Sequence, residues 1–142
     1  MAALAAEQLI AQQLLNLQQL EHLLSVEKEI LQQQDPEALI SVTEQKRALL
    51  EAIQKLDEQN AQNILVKNEI ASGIHHKDIT EIEAILLRCK DKNHINGQII
   101  QHSSLAAERM KNSLLENHNR SSMTYNSKGK KSGGLSSLGI KA

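Results

Sequence analysis

Hydrophobic positions in the first thirty residues recur at intervals of seven, the spacing of one face of a long helix. The repeating set consists of Ile10, Leu17, Leu24 and Leu31. Gln, Glu and other polar residues occupy most of the positions between them. This arrangement is typical of an amphipathic helix with coiled-coil character. The pattern therefore predicts a first helix from about residue 3 to residue 33.

Residues 35–37, Asp-Pro-Glu, contain the single proline of the chain and predict a break followed by a new helix. Asp35 suits the N-cap position, and Pro36 suits the first helical position because its fixed φ is already helical. Since the connection is short, the first two helices are expected to lie antiparallel.

The second predicted helix runs from about residue 36 to residue 71. Its apolar positions are spaced by three, four and seven and consist of Leu39, Val42, Leu49, Ile53 and Leu56. Lys46 and Asn60 interrupt the same stripe. Gly73 suits a left-handed C-cap and marks the end of this helix.

The third predicted helix begins near Asp78 and carries a stripe that alternates steps of four and three from Ile82 to Leu114. Asn96-Gly97 is a strong turn signal, and a break there would produce a four-helix bundle. Glycine inside a helix costs about 1 kcal/mol relative to alanine. Because the stripe continues without a slip on both sides, we expect one long helix instead.

The composition restricts the fold class. The chain has 142 residues, no Trp or Phe, one Tyr, and only 6 Gly and 1 Pro. Sheet proteins need aromatic and β-branched residues and frequent turns, so β folds are disfavoured. The sequence contains no run of about 18 apolar residues, the length that a membrane-spanning helix needs. We expect an all-α protein of three long antiparallel helices.

Charge divides the chain into two parts. Residues 119–142 contain five of the sixteen Lys and Arg and no acidic residue, so the charge is +5 there and −6 over residues 1–118. The basic segment is also rich in Gly and Ser and has no helical stripe. Such segments bury too little apolar surface to offset their ordering entropy. We expect a helical body over 1–118 and a disordered basic tail over 119–142.

Catalytic, cofactor and metal sites find little support. Cys89 lies on an apolar stripe with no neighbouring base, which favours a buried structural thiol over a nucleophile. His75-His76 could bind a metal ion but are better interpreted as two solvated loop histidines. A single cysteine and a start without a basic leader segment favour a cytoplasmic protein. The acidic body disfavours nucleic-acid binding despite the basic tail.

Binding of a partner helix is the function that the pattern favours. Three wide apolar stripes without aromatic residues leave apolar surface that an amphipathic partner could cover. The candidate contacts lie on the C-terminal half of the third helix and are Ile99, Ile100, Leu105, Met110 and Leu114. The alternatives are that these residues belong to the protein's own core or to a self-associating coiled coil. Tyr125, the single aromatic residue, could anchor the tail in a pocket of another protein.

Three segments of the sequence, at residues 42–50, 93–97 and 124–129, together resemble the FlgN-type flagellar export chaperones. Residues 42–50 are similar to the Thr-Glu-x-Lys-x-x-Leu-Leu stretch of that family's second helix. Residues 93–97, Asn-His-Ile-Asn-Gly, are similar to its Asn-x-x-Asn-Gly motif, and residues 124–129 are similar to its Tyr-x-x-x-Gly tail motif. The order and spacing of the three segments also match, so the resemblance extends over nearly the whole chain.

The resemblance implies a small cytosolic helical chaperone that has no ATPase activity and no cofactor. It would bind the C-terminal helical segments of the hook–filament junction proteins, prevent their premature assembly, and deliver them to the flagellar type III export gate. Asn96 would then belong to the cargo-binding region with the apolar residues named above. Tyr125 would help to dock the chaperone at the cytosolic domain of the gate. The rival hypothesis is a coiled-coil adaptor that forms a homodimer.

Overall fold

A computed structural model describes residues 2–102, 114–116, 118 and 134–140. Its elements are α1 (Ala2–Gln33), α2 (Pro36–Ala61), α3 (Ile64–Ser72), α4 (His76–His102) and a 3₁₀ turn (Ser136–Leu138). Over these residues the structure is helical, apart from turns and one isolated β-bridge. The prediction of an all-α protein is confirmed. Within the described ranges, no helix combines the length and apolarity needed to cross a membrane.

The turn between α1 and α2 forms as the sequence predicts. The Asp35 side chain accepts a hydrogen bond of 3.2 Å from the backbone N–H of Ala38, and Pro36 begins the helix. This bond satisfies one of the N–H groups that a helix start leaves without an intrahelical partner. Gln34 reverses the chain with a φ of 58°. The connection is therefore short.

The second predicted helix is in fact two helices, because the chain breaks at Gln62 and Asn63. The Asn63 side chain accepts hydrogen bonds from the N–H groups of Leu65 (3.0 Å) and Val66 (3.2 Å). Asparagine competes in this way with the backbone bonds of a continuing helix and acts as a cap instead. The prediction of three long helices is therefore wrong, and α3 is a separate helix of 9 residues.

The start of α4 and its passage through Asn96-Gly97 are both resolved. Gly73 adopts the expected left-handed cap with a φ of 83°, and α4 begins at His76, two residues before the predicted start. The helix then continues through Gly97 to His102. The prediction of a continuous helix at Asn96-Gly97 is confirmed as far as His102.

The helices α1, α2 and α4 run up, down and up. Cys89 Sγ contacts the carbonyl of Leu17 and Asn96 Nδ2 contacts the carbonyl of Leu24, at the same sequence offset of 72 residues. A constant offset means that α1 and α4 lie parallel. Gln13, early in α1, donates from Nε2 to the carbonyl of Ile53, whereas Glu27, late in α1, pairs with Lys46, which comes before Ile53 in α2. The helix α2 therefore lies antiparallel to α1, as predicted.

Buried apolar side chains form two clusters along the bundle. The first cluster lies where the N-terminal part of α1 meets the C-terminal part of α2 and consists of Ile10, Leu17, Leu20, Leu24, Leu50, Ile53, Ile82, Ile85, Leu86, Cys89, Leu135, Leu138 and Ile140. The second cluster lies near the opposite ends of these helices and consists of Leu31, Leu39, Val42, Ile100 and Leu114. The four heptad positions predicted for α1 are all buried.

Residues 134–140 depart from the prediction of a disordered tail. Leu135, Leu138 and Ile140 are at most 4 % exposed and belong to the first cluster. The 3₁₀ turn between them packs against α2. These three apolar residues lie within six positions and bury enough apolar surface to hold the segment on the helices, which the average Gly, Ser and Lys content of the tail does not indicate. Residues 119–133 and 141–142 of the predicted tail lie outside the described residues.

Candidate functional site

A buried polar cluster joins α1, α2 and α4 between the two apolar clusters. It consists of Glu27, Lys46, Asn93 and Asn96. Lys46 Nζ lies 3.4 Å from Glu27 Oε1 and also donates a hydrogen bond to Asn93 Oδ1. Asn96 Nδ2 donates to Glu27 Oε1 at 2.8 Å and to the carbonyl of Leu24 at 2.9 Å. One carboxylate therefore connects three helices.

Burial makes the charges of this cluster sensitive to their partners. Glu27 and Lys46 are each 3 % exposed. Desolvation lowers the pKa of Lys46, and the charge of Glu27 opposes that shift. Removing either group from such a pair leaves an uncompensated charge in a medium of low dielectric constant. The packing of α2 on α1 at this point therefore depends on keeping the two charges together.

Gly97 provides space for the ring of His118. A Cβ atom at residue 97 would lie 2.5 Å from His118 Nε2, closer than real Cβ contacts allow. His118 Nδ1 and Asn96 Oδ1 are buried without a hydrogen-bond partner among the described residues. Burial lowers the pKa of His118 to about 4, and the nearby charges of Lys46 and His94 act in the same direction. The packed position beside Gly97 therefore favours the neutral form of the His118 imidazole.

The residues predicted to bind cargo occupy several environments. Asn96 is 1 % exposed in the polar cluster, while Ile100 and Leu114 are buried in the second apolar cluster. Ile99 is half-buried against that cluster. Leu105 and Met110 lie outside the described residues, as does Tyr125. In this structure the described residues of the set pack within the protein itself, and their role toward a partner stays a prediction.

Apolar and polar surfaces remain open elsewhere on the bundle. An open groove of about 750 Å³ runs between α1 and α2 and is lined by Asn16, Gln18, Gln19, His22, Leu23, Gln45, Ala48, Leu49 and Ala52. Among the described residues, the large hydrophobic side chains that stay exposed are Leu15, Ile40, Ile64, Leu65, Ile74 and Leu87. Ile64 and Leu65 begin α3, and Ile74 follows its C-cap.

Two candidate reactive groups turn out to be structural. Cys89 is buried, and desolvation raises the pKa of its thiol to about 12, so it is a poor nucleophile. His75 is buried and its Nε2 lies 2.8 Å from Glu69 Oε1, which corrects the expectation of two solvated histidines. His76 is exposed. Among the residues that the structure describes, no three His, Cys, Asp or Glu side chains cluster as metal ligands would.

The comparisons with known proteins add one decisive match. The family model described as FlgN protein matches residues 1–133. The chain belongs to the FlgN family. FlgN proteins are flagellar export chaperones that act in flagellum biogenesis. No match to the chain was found among curated proteins or among solved structures.

The polar cluster contains residues from two of the three segments that resemble the FlgN family. Lys46 belongs to the first FlgN-like segment, and Asn93, Asn96 and Gly97 belong to the second. The structure brings these two distant segments together through Glu27. Sequence reasoning missed Glu27 and His118. Glu27 did carry a signal, since it lies three residues after Leu24 and four before Leu31, on the apolar stripe of α1.

Proposed function

We propose that this FlgN-family chain is a cytosolic chaperone for the hook–filament junction proteins. It binds the C-terminal helical segments of these subunits, keeps them from assembling early, and delivers them to the export gate. The observation that carries the proposal is the family match over residues 1–133, which includes both segments that meet in the polar cluster. The cargo segments, the gate and the cytosolic location are inferred from the family resemblance.

The proposed cargo surface begins at the second apolar cluster and continues along the residues that follow α4. Ile99 is half-buried and borders the cluster, so an added apolar helix could extend the packing there. Met110 continues the stripe of Ile100 in the sequence, and Leu105 lies between these two residues in the chain. Each apolar side chain that a cargo helix buries contributes about 1.5–3 kcal/mol before ordering costs. A few such contacts suffice for an affinity that the export machinery can reverse.

A calorimetric titration with the C-terminal segment of each junction protein tests the cargo proposal. The variant Leu105→Asp with Met110→Asp is expected to abolish binding while the far-ultraviolet circular dichroism stays unchanged. Leu87→Asp is the matched control, because Leu87 is 60 % exposed on α4 and the same change there should leave binding intact. Loss of helicity in the double variant would assign both residues to the core. Absence of binding by the folded wild-type chain, with a stable dimer in sedimentation, would favour the self-associating adaptor.

The role proposed for Tyr125 requires a different readout. Tyr125→Ala is expected to leave the cargo affinity unchanged and to lower binding to the cytosolic domain of the export gate. Tyr125→Phe separates the ring from the hydroxyl group, since it keeps the aromatic surface that anchors of this kind bury. A fall in cargo affinity in Tyr125→Ala would place the residue in the cargo site instead.

A further inference from the structure

The C-terminal segment 134–140 is bound to the helical body as a peptide ligand would be. Leu135, Leu138 and Ile140 are buried at 0 %, 4 % and 4 % exposure, and the 3₁₀ turn packs on α2. Leu135 and Ile140 close the turn with backbone hydrogen bonds of 3.0 and 3.2 Å to each other. The segment is therefore a compact apolar loop packed on α2, and we call its site, formed by Asp57 with Leu50 and Ile53 of the first cluster, the α2 groove.

Asp57 anchors the polar start of this segment. Its carboxylate accepts a hydrogen bond of 3.1 Å from the backbone N–H of Ser137 and another from the Ser137 hydroxyl. The Ser136 hydroxyl lies 3.3 Å from the other carboxylate oxygen. A carboxylate at the first N–H groups of a helical turn is a favourable capping arrangement. The α2 groove thus provides an apolar floor and an acceptor for the start of a helical turn.

A second buried polar side chain of α2, Asn60, lies close to Asp57. Asn60 lies three residues after Asp57, on the same side of α2, and is 0 % exposed. Neither its Nδ2 nor its Oδ1 has a hydrogen-bond partner among the described residues. A buried amide without partners is costly, and this one lies one helical turn from the carboxylate that holds Ser137.

The tether does not by itself hold the segment in place. His118 lies at the level of Gly97, and Asp57 lies about 20 Å away along the bundle at about 1.5 Å per helical residue. The fifteen residues 119–133 can reach about 50 Å when extended. The connection is more than twice the required length, so docking depends on the contacts alone. Three buried side chains must offset the ordering of seven residues, which favours a reversible contact.

The family model matches the residues of the α2 groove but not the residues that occupy it. Asp57, Asn60 and the α2 residues of the first cluster fall within residues 1–133, which the FlgN model matches. Residues 134–140 fall outside that range. We propose that the α2 groove is a second part of the cargo-binding surface, with residues 134–140 as its tethered competitor. The occupant it fits is an apolar helical segment of the cargo, and this inference rests on the function proposed above.

The test compares full-length variants that weaken the segment without changing the groove. Leu138→Asp places a charge in the apolar floor, and Gly139→Val strains a residue whose φ is 75°. If about 90 % of molecules hold the segment docked, its release raises the apparent cargo affinity about tenfold. Both variants are therefore expected to bind the junction-protein segments at least about threefold more tightly in calorimetry. Leu87→Asp is the control for an added charge and should match the wild type.

A synthetic peptide of residues 131–142 completes the experiment. It is expected to bind the Leu138→Asp protein and to weaken its cargo binding, whereas the same peptide carrying Leu138→Asp is inert. Peptide binding with unchanged cargo affinity in every variant overturns the shared groove and leaves the proposed function intact. No peptide binding overturns the role of residues 134–140 as a ligand. No cargo binding by any form, with peptide binding retained, refutes the proposed function and the cargo part of this inference together.

Discussion

The pair of neighbours Lys46 and Arg47 allows a direct test of the buried polar cluster. Lys46→Met keeps most of the aliphatic length of the side chain and removes the ammonium group. Glu27 then keeps its hydrogen bond from Asn96 but loses the buried cation 3.4 Å away. Arg47→Met removes a cation from an exposed position that pairs with Glu44 and Glu51 on the same helix. The two variants differ by one position and by burial.

The expected loss follows from the position of Lys46 between three helices. Breaking a buried ion pair by removing one partner costs about 3–5 kcal/mol. A domain of this kind has a free energy of unfolding of about 5–15 kcal/mol, so the loss is a large fraction of the total. With an m-value of about 2 kcal/mol per molar urea, the unfolding midpoint of Lys46→Met falls by about 1.5–2.5 M. Arg47→Met is expected to leave the midpoint unchanged within measurement error.

Urea unfolding followed by circular dichroism at 222 nm measures these midpoints. The double variant Glu27→Met with Lys46→Met removes both charges, so it should lose less than the sum of the single losses by about 1–3 kcal/mol. Equal midpoints for Lys46→Met and Arg47→Met would refute the reasoning, because they would show that burial does not distinguish the two positions. Additive single losses would refute the direct pairing of Glu27 and Lys46.

Three further predictions follow from other sites. Burial lowers the pKa of His118 from 6.5 in the unfolded chain to about 4 in the folded protein, so the stability that its neutral form provides above pH 6.5 is lost as the pH falls toward 4. The full loss is about 2 kcal/mol after solvent screening, and His118→Gln should flatten the pH dependence of the melting temperature between pH 4 and 6.5. Gly97→Ala would ordinarily stabilise a helix by about 1 kcal/mol, but the Cβ contact with His118 should cancel the gain, and adding His118→Ala should restore it in thermal unfolding. The Cys89 thiol should stay unreactive toward a disulfide reagent at pH 8 and react fully in denaturant, since its pKa is raised to about 12 by burial; rapid labelling of the folded protein would contradict that burial.

Helix positions were predictable where one residue type has one physical role. The heptad leucines of α1, the Asp35-Pro36 start and the Gly73 cap each act locally, and the structure contains all three. The break at Asn63 was missed because asparagine is tolerated inside helices as well as at caps. Ile64 and Leu65 are apolar in the sequence, and only the structure shows that they are exposed after the break.

The candidate site was less predictable, because its contacts join residues that are far apart in the chain. Lys46 and Asn96 were visible as interruptions of two apolar stripes, but the partner of each depends on how the helices align. Glu27 lies on a third stripe, and only the packed bundle shows that it bonds to both. The docking of Leu138 was hidden by its surroundings, because a Gly- and Ser-rich composition describes an average over the tail and not its one apolar turn.

The parallel pairing of α1 with α4 has a consequence during synthesis on the ribosome. The contacts between these helices join residues 72 apart, such as Leu24 with Asn96. At about 5–20 residues per second, those residues take roughly 4–14 s to make. During that time the nascent α1 can pair only with α2 and α3, and the side of its apolar stripe that packs on α4 faces water. The growing chain therefore passes through a stage without α4 that exposes apolar surface before the bundle closes.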